Sequence, residues 1–121
     1  MYVQAGSLRA VRKPPLAAMA QHAVEAARLL RALSNPHRLQ VLCALVEGEL
    51  SVGALNRRVP LSQSALSQHL AVLRAEGLVA TRRQGQTIYY AVAQGAALHV
   101  IRALHEFYCG QPRIRNRRIK T

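Results

Sequence analysis

Hydrophobic positions recur along most of this chain at intervals of three and four residues, and change once to a strand-like pattern. From Leu16 to Leu33 no Gly or Pro interrupts an Ala-rich run. Ala23, Ala27, Leu30 and Leu33 form one stripe of it, widened by Met19, Ala26 and Leu29. A helix this apolar needs cover on more than one side, which in a small protein points to a partner subunit. Ser34-Asn35-Pro36 then restarts the helix, with Asn35 as cap and Pro36 at the first helical position. This second helix is expected to run to about Glu47, to turn Leu39, Leu42, Cys43 and Val46 inward, and to stop at Gly48. Ser51 caps a short helix, Val52 to Arg58. A turn at Val59-Pro60 leads to Ser62, which caps a helix carrying Leu66, Leu70 and Leu73 on one face.

After Gly77, where a left-handed residue is wanted, the period changes. Leu78 to Arg83 and Thr87 to Val92 are β-favouring runs around Gln84-Gly85-Gln86, and read as a hairpin. The last helix is expected from about Ala96 to Tyr108 or Cys109, ended by Gly110 and Pro112, with Leu98, Ile101, His105 and Cys109 on its inward face. The pattern predicts a mainly α fold with a β-hairpin wing: a winged helix-turn-helix of about five helices, dimerised through its first and last helices. Residues 1–15 read as a flexible arm, 16–110 as the DNA-binding and dimerisation domain, and 111–121 as a basic tail.

The helix opened by Ser62 has an unusual second face. Gln63, Ser64, Ser67 and Gln68 gather there with Ala71. They are short, polar and uncharged, where a solvated face would carry Glu and Lys. Hydroxyls and amides can approach closely and read donors and acceptors, as base edges in a major groove require. His69 lies at the edge of that face, and packing against the apolar flank competes evenly with a DNA contact. Arg82, Arg83 and Gln84 at the hairpin tip are placed to hold phosphates or probe the minor groove.

Charge strengthens this reading. Seventeen Lys and Arg, fifteen of them Arg, face five Glu and no Asp, for a formal net charge of +12. Such a balance favours a double-stranded DNA partner. The basic residues are spread along the chain and do not line one amphipathic helix, which argues against a membrane surface. No apolar run reaches a membrane span, and the apolar stretch after Pro14-Pro15 is too short for a signal peptide, so a cytoplasmic location is expected. There the two cysteines are expected to be reduced unless they have a redox task.

No carboxylate pair, phosphate loop or nucleophile triad is recognisable, so no catalysis and no cofactor are expected. Among metal candidates, His99 and His105 are six residues apart on one helix and cannot converge on one ion within a subunit; with Glu106 they leave only a site shared across a dimer. Spacing alone favours reading Cys43 and Cys109 as small core hydrophobes over a functional pair. Their separation in space, which a direct disulfide limits to about 7 Å between Cα atoms, is not legible in the sequence.

Leu33-Ser34-Asn35-Pro36-His37-Arg38-Leu39, the Gln63–Leu70 helix and the Gly77-Leu78-Val79 exit together resemble the ArsR-type winged-helix repressors over about residues 20–109. The segment Val41–Gly53 and the ending Phe107-Tyr108-Cys109 resemble its sulfide- and persulfide-responsive branch, the BigR and SqrR type. The Cys-x-Cys motif of arsenic sensors is absent, because Leu42-Cys43-Ala44-Leu45 holds one Cys. The resemblance implies a homodimer on a palindromic operator. It also implies that Cys43 and Cys109 are the sensor, bridged directly or through extra sulfur by a persulfide inducer. A metal or haem sensor on the same scaffold, and a non-specific architectural DNA binder, are the competing readings.

Overall fold

The structure is a computed structural model that describes residues 15–110. The expected tail over 111–121, and the expected arm apart from its last residue, lie outside the described residues. The chain divides into two compact units after Arg31.

The first unit holds most of α1 (Pro15–Leu33), which begins one residue before the expected Leu16. Leu16, Met19, Val24 and Leu30 stand exposed on it, Val24 by 81 %.

The second unit contains α2 (Pro36–Val46), β1 (Leu50–Ser51), α3 (Val52–Arg58), α4 (Gln63–Ala75), β2 (Val79–Gln84), β3 (Thr87–Val92) and α5 (Ala96–Cys109). Its helix starts follow the predicted caps. The Asn35 side chain accepts from the backbone N–H groups of His37 and Arg38, at 2.9 and 3.0 Å. Ser51 and Ser62 each accept from the third residue on, Ala54 and Ala65, at 3.1 Å. Each bond satisfies an N–H that the first helical turn leaves without a partner. Gly77, at φ 73°, ends α4. The Leu78 N–H reaches the Leu73 carbonyl at 2.8 Å and Gly77 reaches Arg74 at 3.0 Å, the paired bonds of a Schellman end.

Leu66, Leu70 and Leu73 sink into the core with Val41, Leu42, Leu45, Leu55, Leu98 and Ile101. Burying a side chain of this size contributes about 1.5–3 kcal/mol. The three leucines therefore fix the rotation of α4 and leave its Gln and Ser side outward.

Three expectations change. The inward face of α2 is Val41, Leu42, Ala44 and Leu45, and Cys43 lies at its half-buried edge. Packing from two sides rotates the helix away from the stripe that spacing alone selects. Cys109 is exposed, because α5 runs past the core after Ile101. The hairpin gains a third strand: β1 pairs antiparallel with β3, giving the order β1-β3-β2. A two-residue strand is too short for a period-two pattern to show, and Ser51 within it also caps α3.

Candidate DNA-reading head and thiol groove

Ser62, Gln63, Ser64, Ser67 and Gln68 are all exposed along one side of α4. The Asn56 side chain donates to the Leu61 carbonyl at 2.8 Å, so the turn between α3 and α4 is tied. Arg74 and Tyr90 were not singled out by sequence. They line, with Ser67, a groove of about 380 Å³ between α4 and β3. Only the strand register brings Tyr90 there.

His69 is half-buried and its ring meets that of His37, with centroids 5.8 Å apart. That is the edge-packed arrangement. Burial foremost, then the Arg38 charge and His37, hold the His69 imidazole below its ordinary value. The folded chain thus takes up this proton at lower pH than the unfolded chain. Stability from neutral His69 is fully present above the unfolded value of about 6.5, and falls as pH drops through it. Melting midpoints at about pH 7.5 and about pH 5.5 should show a drop that His69→Gln reduces. Glu47 and Glu49, whose carboxyls are held low, keep their charge throughout that window. An unchanged drop in the variant would remove His69 from the account.

Arg82 of the wing has partners within the fold. Its guanidinium forks onto Glu49, donates to Gln84 Oε1 at 2.8 Å and lies 4.6 Å from the Tyr89 ring centroid. Arg82 and Tyr89 are register partners, so the side chain crosses the sheet from its outer strand. Hydrogen bonding to Arg82 holds the Glu49 carboxyl below the usual carboxylate range. Arg82 and Gln84 are thus engaged with each other, whereas Arg83 is exposed on the neighbouring position.

The second site lies between α2, the end of α3 and α5. Gln40, Cys43, Glu47, Arg58, His105 and Cys109 are among the residues that line an open groove of about 310 Å³. Cys43 and Cys109 are both free thiols. Burial foremost, and then the neighbouring Cys109, push the Cys43 thiol up. The structure therefore brings the two cysteines to one groove, one half-buried and one exposed. His105 Nε2 lies 3.3 Å from Glu47 Oε2, and Arg58 donates to Glu47 Oε1 at 3.2 Å. Among the described residues, no three or more His, Cys, Asp or Glu side chains gather where they could hold a metal ion. His99 is exposed, and His105 is paired with Glu47.

Residues 35–81 match the model of the bacterial regulatory protein arsR family. The chain is also 50 % identical over 91 residues to the transcriptional activator HlyU of Vibrio cholerae, covering 75 % of this chain and 84 % of that one. The chain belongs to the ArsR family. This ArsR-family chain is 44 % identical over 95 residues to the biofilm growth-associated repressor of Agrobacterium fabrum, covering 78 % of this chain and 81 % of the relative. The solved structure of reduced HlyU from Vibrio cholerae superposes with a TM-score of 0.72 at 49 % identity, covering 78 % of this chain and 99 % of that one. The ArsR-family chain is a DNA-binding transcriptional regulator and not an enzyme. No described helix is long and apolar enough to cross a membrane.

Proposed function

We propose that this regulator is a homodimeric repressor whose affinity for a palindromic operator is switched by reactive sulfur through a bridge between Cys43 and Cys109. The observation that carries the switch is the shared groove: two free thiols, 66 residues apart in sequence, line one opening. The relative solved as reduced HlyU is described by its redox state, which agrees with a thiol role. Exposed Leu16, Met19, Val24 and Leu30 on α1, and Phe107 and Tyr108 on α5, support dimerisation through the first and last helices. In the dimer the two α4 helices enter successive major grooves, with Ser62, Gln63, Ser64, Ser67 and Gln68 on base edges and nearby phosphates. Arg83 takes phosphate from the wing, while Arg82 and Gln84 hold its shape.

The chemistry balances as follows. Cys109 is exposed and attacks first. Its thiolate attacks the outer sulfur of an organic hydropersulfide, R–S–SH, and breaks that S–S bond. The thiolate RS⁻ leaves and takes up the proton lost by the cysteine. Cys109 then carries a terminal S–SH. Cys43, less ionised because burial foremost raises its thiol, attacks the Cys109 Sγ as its thiolate and expels hydrosulfide. Two thiols have lost two electrons, and the transferred sulfur has been reduced to hydrosulfide. Where Cys43 has also accepted a sulfur, its terminal sulfur attacks instead, and the bridge contains three sulfurs.

Peptide mass spectrometry of hydropersulfide-treated protein checks this. A linked pair of peptides carrying Cys43 and Cys109 from one subunit is expected, with the mass of two or more bridging sulfurs. Separate caps on the two thiols, with no link, would refute the bridge.

A further inference from the structure

The groove contains a second connection that the thiol chemistry does not use. Glu47, the residue that caps the end of α2, lies four residues after Cys43, and His105 lies one turn before Cys109 on α5. The pair Glu47–His105, at 3.3 Å, therefore forms a rung between the same two helices, one turn from the cysteines. The second oxygen of the Glu47 carboxylate faces elsewhere: Arg58, the last residue of α3, donates to it at 3.2 Å. Past Arg58 the chain is tightly held. Val59 is buried, Asn56 fixes the Leu61 carbonyl, and Ser62 caps α4. One carboxylate thus touches α5 through one oxygen and the helix-turn-helix through the other.

We infer that Glu47 is a positioning residue that relays the state of the cysteine pair to the reading helix. This inference rests on the thiol switch proposed above. A bridge of two or three sulfurs fixes the separation of α2 and α5 at the rung beside Glu47, and so resets the reach from His105 to the carboxylate. Arg58 follows the other oxygen, and the turn from Val59 to Ser62 follows Arg58. Both pairs are partly exposed, with Glu47 at 54 %, Arg58 at 46 % and His105 at 25 %. Exposed pairs contribute little to stability, so the folded state does not depend on them. A difference between the two states of the switch does not need a strong pair, only one that is made in one state and weakened in the other.

The test uses the full-length protein, E47Q and H105Q, an operator selected from random duplexes by the untreated protein, and an organic hydropersulfide. Operator affinity is measured before and after treatment, and the Cys43–Cys109 link is quantified by mass spectrometry in the same samples. The untreated variants should bind as the parent does and form the bridge to the same extent. Their treated-to-untreated affinity ratio should rise toward one by about fivefold, near the most that one exposed ion pair ordinarily supplies. A ratio within about twofold of the parent, with the bridge complete, overturns the relay. So does untreated E47Q that already binds weakly, since Glu47 would then prop the reading head in both states. Absence of a bridge in the parent is a different result, and refutes the thiol switch itself.

Discussion

Cys43→Ser and Cys109→Ser should each bind the operator as tightly as the parent protein and stay bound when hydropersulfide is added. The parent should release under the same treatment, with affinity falling about 5- to 150-fold, the range an allosteric coupling of about 1–3 kcal/mol produces. The two variants are not equivalent. With Cys109 intact and exposed, Cys43→Ser should accumulate a persulfide on Cys109 that has no partner to resolve it. Cys109→Ser leaves a half-buried thiol whose ionisation is suppressed, first by burial. It should react slowly and remain largely unmodified. Ser is close to Cys in size, and neither cysteine belongs to the fully buried set led by Leu42, Leu55, Leu66 and Ile101, so little packing is lost. Electrophoretic mobility shift at one fixed salt, paired with intact mass, separates the outcomes. Release of Cys43→Ser by hydropersulfide would sink the two-cysteine switch. Loss of binding in the untreated variant would return Cys43 to a purely structural place.

The two cysteines also mark where local sequence signals stop. The reading helix was legible because its cap, its leucine stripe and its Gly77 stop are local signals, and each is observed at the expected residue. The wing was legible as a hairpin, but its third strand was not. Leu50 and Ser51 join the sheet only through their register with Tyr90 and Tyr89. Periodicity placed Cys109 in the core, and the fold places it outside, because helical spacing says nothing about where the core ends along a helix. Glu47 and Arg58 are eleven residues apart and Glu47 and His105 fifty-eight, so no local pattern could join them. Arg82 illustrates the same limit: nothing local to it announces Glu49, thirty-three residues away, which its guanidinium meets. Signals that span one turn of chain were readable. Those set by packing between elements were not.

Replacing Gln68 and Arg83 should divide operator recognition into its two physical parts. Gln68 is exposed on α4, and its amide can offer a donor and an acceptor together to one base. Its loss removes a base contact worth about 1–3 kcal/mol of discrimination in each half-site. Gln68→Ala should therefore weaken the selected operator strongly, leave random duplex DNA nearly unchanged, and relax base choice at one symmetric pair of positions. Arg83 is exposed on the wing, where a phosphate contact orients the protein without reading sequence. Arg83→Ala should weaken operator and random DNA by similar factors. It should also flatten the dependence of log affinity on log salt by roughly 1.8, from two lost phosphate contacts per dimer at about 0.9 each. Arg82 provides an internal comparison, because its charge is shared with Glu49 and stacked on Tyr89. Arg82→Ala should change the salt slope less than Arg83→Ala does. Affinities measured across a salt series, for operator and random duplex alike, decide the matter. Equal, sequence-independent losses for Gln68→Ala and Arg83→Ala would abolish the proposed division between a reading helix and a gripping wing.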